Sequence, residues 1–280
     1  MPLDRVVIAT MHGKEAVIGP LLRGALGLQP QLLAGFDTDR FGTFSRDIPR
    51  RDSPLATARA KIAAALECMP EVHAGVASEG SFGPHPHVPF VPLDTELVML
   101  LDRRDGVEIV GTHTTPRTNY AQRVVVDARS AVEFAEGIGF PAHGVIVTAA
   151  VDGKPDPAVL LRKDNMSPEE LLANVADAIA ISGAACVETD MRACRNPTRM
   201  RAIRRAAIDL VRRCRSCCPR CGRRGFVATE RIAGLPCASC HAATAATRAM
   251  IEVCAGCGFR REQFAREAWA DPGFCDCCNP

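Results

Sequence analysis

The chain has 280 residues, 47% of them apolar, and a formal net charge of +2. That length accommodates one large domain and a small one, and no uncharged apolar run approaches the length of a membrane-spanning helix. A near-neutral balance names no strong electrostatic partner for the whole chain, but its distribution is uneven: 13 arginines face only Asp209 and Glu230 between Met191 and Arg231.

Read in chain order, residues 1–213 alternate between strands and helices. Arg5–Thr10 is a short β-branched run, and Lys14–Gly27 has helical spacing interrupted by Pro20, which predicts a kinked or delayed helix. Gln31–Gly35 reads as a weak strand. Ser53 followed by Pro54 is an N-cap with proline at the first helical position, opening a helix to about Cys68. Val72–Ser78 is the next strand. The segment Glu79–Pro92, rich in glycine, proline and histidine, predicts a loop. Thr95–Asp102 and Val107–Thr112 flank an Arg-Arg-Asp-Gly turn and read as a hairpin. Ser130–Gly137 is a short helix and His143–Ala150 a strongly apolar strand. Ser167, with Glu170 three residues on and Pro168 between, is a capping box. Cys186–Thr189 is a brief strand, and Asn196 caps a last helix to about Arg213 whose buried stripe is Met200, Ile203, Ala207 and Leu210. The expected architecture is therefore α/β, a mixed sheet flanked by helices over 1–213, followed by a small zinc-ribbon-like domain over 214–280.

That tail carries four Cys-x-x-Cys pairs: Cys218/Cys221, Cys237/Cys240, Cys254/Cys257 and Cys275/Cys278. Two thiolates on one tight turn grip a metal ion, and two such turns complete a tetrahedral sulfur shell, so four pairs predict two structural zinc ions. Disulfides, an iron–sulfur cluster and a dithiol redox centre are the alternatives. The first residues, Met-Pro-Leu-Asp-Arg, lack a secretory pattern, which predicts the reducing cytoplasm and argues against disulfides. Consecutive pairs sharing an ion and a crossed arrangement both fit the spacing. Cys214, Cys217, Cys277 and His241 leave the ligand choice open.

Three polar clusters fall at strand ends, where α/β proteins place ligand sites. Thr10, His12 and Lys14 combine a hydroxyl, a glycine turn and a lysine at a helix N-terminus, features that phosphate oxygens favour; the plain alternative is a charged first turn. The second cluster runs from Ala77 and Ser78 through Glu79, Gly80 and Ser81 to His85 and His87. A carboxylate at the end of a buried strand suits a hard cation such as Mg²⁺, whereas the histidines suit a zinc or copper pair, or turn hydrogen bonds alone. The third combines Asp190, Arg192 and Arg199, an anion clamp or, equally, an internal salt bridge that anchors the last helix.

At these clusters the sequence resembles a known group. Ile-Ala-Thr-Met-His-Gly-Lys-Glu, Gly-Thr-Phe-Ser (42–45), Ala-Ser-Glu-Gly-Ser-Phe-Gly-Pro-His-Pro, Glu-Thr-Asp-Met-Arg and the terminal Cys-x-x-Cys-Asn-Pro resemble an uncharacterised bacterial family of unknown function. Residues 5–112 also resemble, more weakly, the inosine triphosphate pyrophosphatase and Maf-like superfamily. That resemblance implies a phosphate-binding turn at Thr10, His12 and Lys14, a second lysine at Lys61, and an acidic Mg²⁺ loop at Glu79. His12 stands where that pattern has asparagine, and Glu79 is one carboxylate where it has two, leaving Asp94 or Glu96 to supply the other.

Three functions follow as expectations. The first is a Mg²⁺-dependent phosphohydrolase for a nucleotide or other anionic metabolite, with Lys14, Glu79, Asp94 and Glu96 catalytic and Thr10, His12, Lys61, Ser81, Asp190, Arg192 and Arg199 binding substrate. The second is nucleic-acid binding through the arginine-rich segment and zinc ribbons. The third is a non-catalytic docking or oligomerisation protein.

Overall fold

The computed structural model describes residues 5–38, 41, 52–165 and 167–280; the Gly-Thr-Phe-Ser segment at 42–45 lies outside the described residues. The chain divides into two compact units, Met1–Val211 and Arg212–Pro280.

The larger unit holds two sheets. The first, in order β2-β1-β3-β4-β5, comprises β1 (Arg5–Ala9), β2 (Gln29–Leu32), β3 (Ala74–Pro84), β4 (Pro92–Asp102) and β5 (Val107–Thr115). β1 runs parallel to β2 and β3, while β4 and β5 return antiparallel, so the sheet is mixed. Helix α1 (Glu15–Leu26) connects β1 to β2 and continues past Pro20, ending on Gly27 at φ 67. Helix α2 (Pro54–Cys68) is capped by Ser53, whose hydroxyl accepts from the Ala56 N–H. Ile62, Ala65 and Leu66 of α2 pack on Val7, Ala77 and Met99.

The expected loop over Glu79–Pro92 is corrected in its first half. β3 continues through Glu79, Gly80 and Ser81 to Pro84, paired residue for residue with β4 from Ala74↔Asp102 to Pro84↔Pro92. The glycines weaken a strand locally, but eleven aligned cross-strand positions outweigh that weakness.

The second sheet, in order β6-β9-β7-β8, contains β6 (Gln122–Val125), β7 (Val145–Val151), β8 (Lys154–Asn165) and β9 (Ala185–Thr189). Helices α3 (Ala128–Ile138) and α4 (Pro168–Ser182) cover it through Phe134, Ile138, Leu171 and Val175. Both bonds of the expected Ser167–Glu170 capping box form. Helix α5 (Pro197–Arg215) buries Ile203, Ala206, Ala207 and Leu210. Its backbone lies so close to β5 that a Cβ at Gly111 would overlap Leu210 N and Ala206 O. Only glycine permits that approach.

The smaller unit is a three-stranded antiparallel sheet of β10 (Ala228–Ala233), β11 (Thr247–Val253) and β12 (Arg260–Phe264), with the cysteine turns at its margins. Among the described residues, no helix is long and apolar enough to cross a membrane.

Candidate functional site

Alternation along β3 and β4 sorts the acidic residues by face. Gly80 pairs with Glu96, Phe82 with Asp94 and Ser78 with Val98, so Ser78, Gly80, Phe82, Asp94 and Glu96 share one face. Glu79 points the other way, toward α2, where Lys61 Nζ meets its Oε1 at 2.5 Å with both side chains buried. On the opposite face, Arg199 Nε from the first turn of α5 donates to Glu96 Oε1 at 2.6 Å, and Arg199 Nη1 donates to the Met191 carbonyl. Gly80 makes that pair possible, since a methyl carbon there would sit 2.5 Å from Glu96 Oε1.

Lys14 stands beyond the C-terminal end of β1, an inner strand, within electrostatic reach of both pairs. The β1–β3 ladder ends at Ala9↔Ala77, and Lys14 Nζ donates to the next carbonyl, Ser78 O, at 3.0 Å. Burial, then the Arg199 guanidinium, push the Lys14 ammonium down to about 8, against opposing pulls from Glu79 and Glu96. Of the chain's four lysines, at 14, 61, 154 and 163, two stand in this cluster. Asp94 is fully buried, and burial followed by the neighbouring Glu96 pushes its carboxyl up to about 7, with Arg199 opposing. Arg199 also lies over the Phe82 ring at 5.1 Å, and Phe82 stacks on Tyr120 at 5.7 Å.

Two buried ion pairs, Lys61–Glu79 and Arg199–Glu96, thus lie on opposite faces of the sheet, the second beside Asp94, and Lys14 is within electrostatic reach of both pairs. Beside the β1–α1 turn, a cavity of about 490 Å³ is lined by Thr10, Met11, Glu15, Leu33, Phe36 and Asp37.

The other expected site residues lie elsewhere. Ser81 is exposed on the α2-facing side of β3. His12 Nδ1 is 3.9 Å from Cys194 Sγ. His85 Nδ1 accepts from the His87 and Val88 N–H groups, so its ring holds a turn. Arg192 is bound to Asp190 at 2.6 Å and to Asp164 at 2.8 Å, and Arg195 also reaches Asp164. The third cluster is therefore an internal ion network. Asn196 Oδ1 caps α5 at the Arg199 N–H.

Sequence reading placed Ser78 and Gly80 in the second cluster but did not assign the face they occupy, and it overlooked the Phe82–Tyr120 stack. The signal for the first two lies in β4: Asp94-x-Glu96-x-Val98-x-Leu100 places two acids in the same period-2 register as a buried apolar pair.

In the tail, the cysteines gather as Cys218, Cys221, Cys254 and Cys257, and as Cys237, Cys240, Cys275 and Cys278. The arrangement is the crossed one. Sulfur pairs across each cluster are 3.5–3.8 Å apart. Four thiolates at about 2.3 Å from a central ion stand about 3.8 Å from one another, so the donor set and spacing fit a tetrahedral metal. Each cluster has the donor set and spacing to hold one metal ion. His241 is not among them. It adopts φ 61 and donates its N–H to Cys237 O, as Gly222 does to Cys218 O and Gly258 to Cys254 O. His241 is thus the third copy of one turn position, and its ring sits against Trp269.

Residues 61–280 match the model of a family described as a domain of unknown function, DUF6671. The chain belongs to that family. The DUF6671 match takes in Lys61, Glu79, Asp94, Glu96, Arg199 and all eight clustered cysteines, and leaves Thr10, His12 and Lys14 outside it. No curated protein and no solved structure matches the chain.

Proposed function

We propose that the α/β unit is a divalent-cation-dependent phosphohydrolase acting on a nucleotide or another phosphorylated metabolite, and that the tail carries two structural zinc ions. One observation supports the first part: Lys14, at the end of β1 and next to Glu15 of the cavity lining, is within electrostatic reach of the buried pairs Lys61–Glu79 and Arg199–Glu96 on the two faces of the sheet. Buried mixed charge on this scale is costly to fold around, and perturbed groups concentrate where chemistry is done.

In this reading Lys14, at the helix N-terminus and with a reduced hold on its proton, meets the phosphate. Lys61 moves from Glu79 to share that charge, and Thr10 at the cavity mouth donates a hydroxyl. Arg199 holds Glu96 in place from below. A bound Mg²⁺ supplies polarisation of the phosphoryl oxygens and a water of lowered pKa.

The test is release of phosphate or pyrophosphate from ordinary and deaminated nucleoside triphosphates with Mg²⁺, using zinc-loaded full-length protein. Activity lost in Glu79→Gln while the fold persists is the expected result. An inactive wild type across the panel would remove the reading.

Zinc is the favoured metal because eight thiolates satisfy two ions completely and leave no open coordination position, the hallmark of a structural site.

A further inference from the structure

Helix α5 carries its charge on one side. Arg201, Arg204, Arg205, Arg212 and Arg215 are all exposed. At about 100° of turn per residue they fall within an arc of about 100°, with Ile208 the one uncharged residue between them. Ile203, Ala206, Ala207 and Leu210 occupy the opposite, buried side. From Arg201 to Arg215 the stripe is about 21 Å long. Its spacing is a property of the helix alone.

Among the described residues, Arg204, Arg205, Arg212 and Arg215 make no side-chain hydrogen bond or ion pair, and Arg201 donates only to Thr198 Oγ1. The sole acidic residue of α5, Asp209, is engaged by β5, where its Oδ2 accepts from the Thr112 N–H. Like charges three and four residues apart weaken a helix. The helix dipole favours Arg212 and Arg215 in the last turn, but gives no such support to Arg201, Arg204 and Arg205. Stability therefore does not account for the stripe, whereas a partner of complementary charge does.

We propose that the exposed face of α5 docks in the major groove of duplex DNA through contacts to the phosphate backbone. Guanidinium groups match phosphate oxygens two at a time, and the stripe is as long as about six phosphate steps of one strand. The B-form major groove, about 12 Å wide, admits a helix, whereas the deep, narrow groove of duplex RNA does not. The arc holds no aromatic side chain to stack on the bases of a single strand. It also holds no Asn, Gln or carboxylate to read base edges, so the contact is independent of base sequence. This surface is separate from the phosphohydrolase reading, since it uses neither Lys14 nor Glu79.

The test titrates zinc-saturated full-length protein into a fluorescently labelled DNA duplex of two helical turns, read by anisotropy between about 50 and 200 mM salt. Log affinity should fall with log salt with a slope of about −4 to −5, as five phosphate contacts require, and equally for two unrelated sequences. Arg204→Gln/Arg205→Gln should weaken binding about tenfold or more at the lower salt and flatten the slope by about 2. Arg212→Gln/Arg215→Gln is the second variant and should do the same; both exchange only exposed side chains and leave the core intact. Arg248→Gln/Arg266→Gln removes the same charge from exposed positions of the tail and should change affinity less than about threefold. A loss there equal to that of the α5 variants would show attraction by net charge alone and overturn the proposal. Equal or tighter binding of duplex RNA or single-stranded DNA at the same salt overturns it too, as does no binding of the DNA duplex at the lower salt.

Discussion

Lys14 shows how a single residue reports a conflict between stability and use. Its ammonium is buried, bonded to one carbonyl, and held at about 8 in place of the ordinary 10.5. Its surroundings therefore disfavour the charge by on the order of 3 kcal/mol at neutral pH. Because the folded value is the lower one, the native state releases this proton first. The penalty is complete below about pH 8 and disappears as pH rises toward 10.5, so this group makes stability increase across that interval. Lys14→Met should consequently unfold at a higher temperature than the wild type at neutral pH, and the gap should close at alkaline pH. Thermal unfolding at two pH values checks this, and a variant less stable than the wild type at neutral pH would contradict it. Stability gained together with loss of phosphate release would mark Lys14 as a functional residue. Little of this environment is visible in the amino-acid order, since Ser78, Arg199 and Glu96 are distant in sequence and the lysine alone resembles any exposed first-turn charge.

Among the elements, the helices were the most readable because their signals are local. Ser53 with Pro54 and Ser167 with Glu170 form caps within four residues of chain. Strands β6 and β8 escaped detection. Each lies at an edge of its sheet, where a short or proline-bearing segment is tolerated; β8 carries Pro155 and Pro157, consistent with the confinement of proline to edges. β3 outran its expected end because β4, which is not local, pairs it to Pro84. Helix α5 was legible as a stripe, but its docking was not: Gly111 is an ordinary strand glycine until α5 lies on it. Gly111→Ala forces the two backbones apart and should destabilise the α/β unit by about 3 kcal/mol or more. Urea unfolding measures this, and a loss below about 1 kcal/mol would show that α5 moves aside freely.

At the scale of the whole molecule, the two units depend on different forces. The larger has apolar cores around both sheets. The smaller buries a short apolar set, Phe226, Leu235, Ala249, Ile251 and Ala270, around three short strands, too little to stand alone. In the proposed reading, two structural zinc ions, each worth about 10–16 kcal/mol, supply the difference. A strong chelator should therefore release two zinc ions per chain and abolish amide protection in β10–β12, while β3 and β4 keep theirs. Hydrogen exchange with metal quantification tests this, and protected β10–β12 amides in metal-free protein would refute it. The metals also change the charge account. From Arg212 onward, 11 arginines face six acidic residues, but eight thiolates on two divalent ions remove about four of those positive charges. The arginine excess between Met191 and Arg231 that suggested a polyanion partner contains only two of those eight cysteines, so metal binding would leave most of it in place. What the sequence determined by itself was whatever acts over a few residues: the helix caps, the Cys-x-x-Cys turns, the hairpin and the mixed α/β class. The tertiary structure alone decided which turns share an ion, which face each acid occupies, and that Arg199 is buried against Glu96. Those outcomes depend on contacts between distant segments, whose closure a linear pattern does not encode.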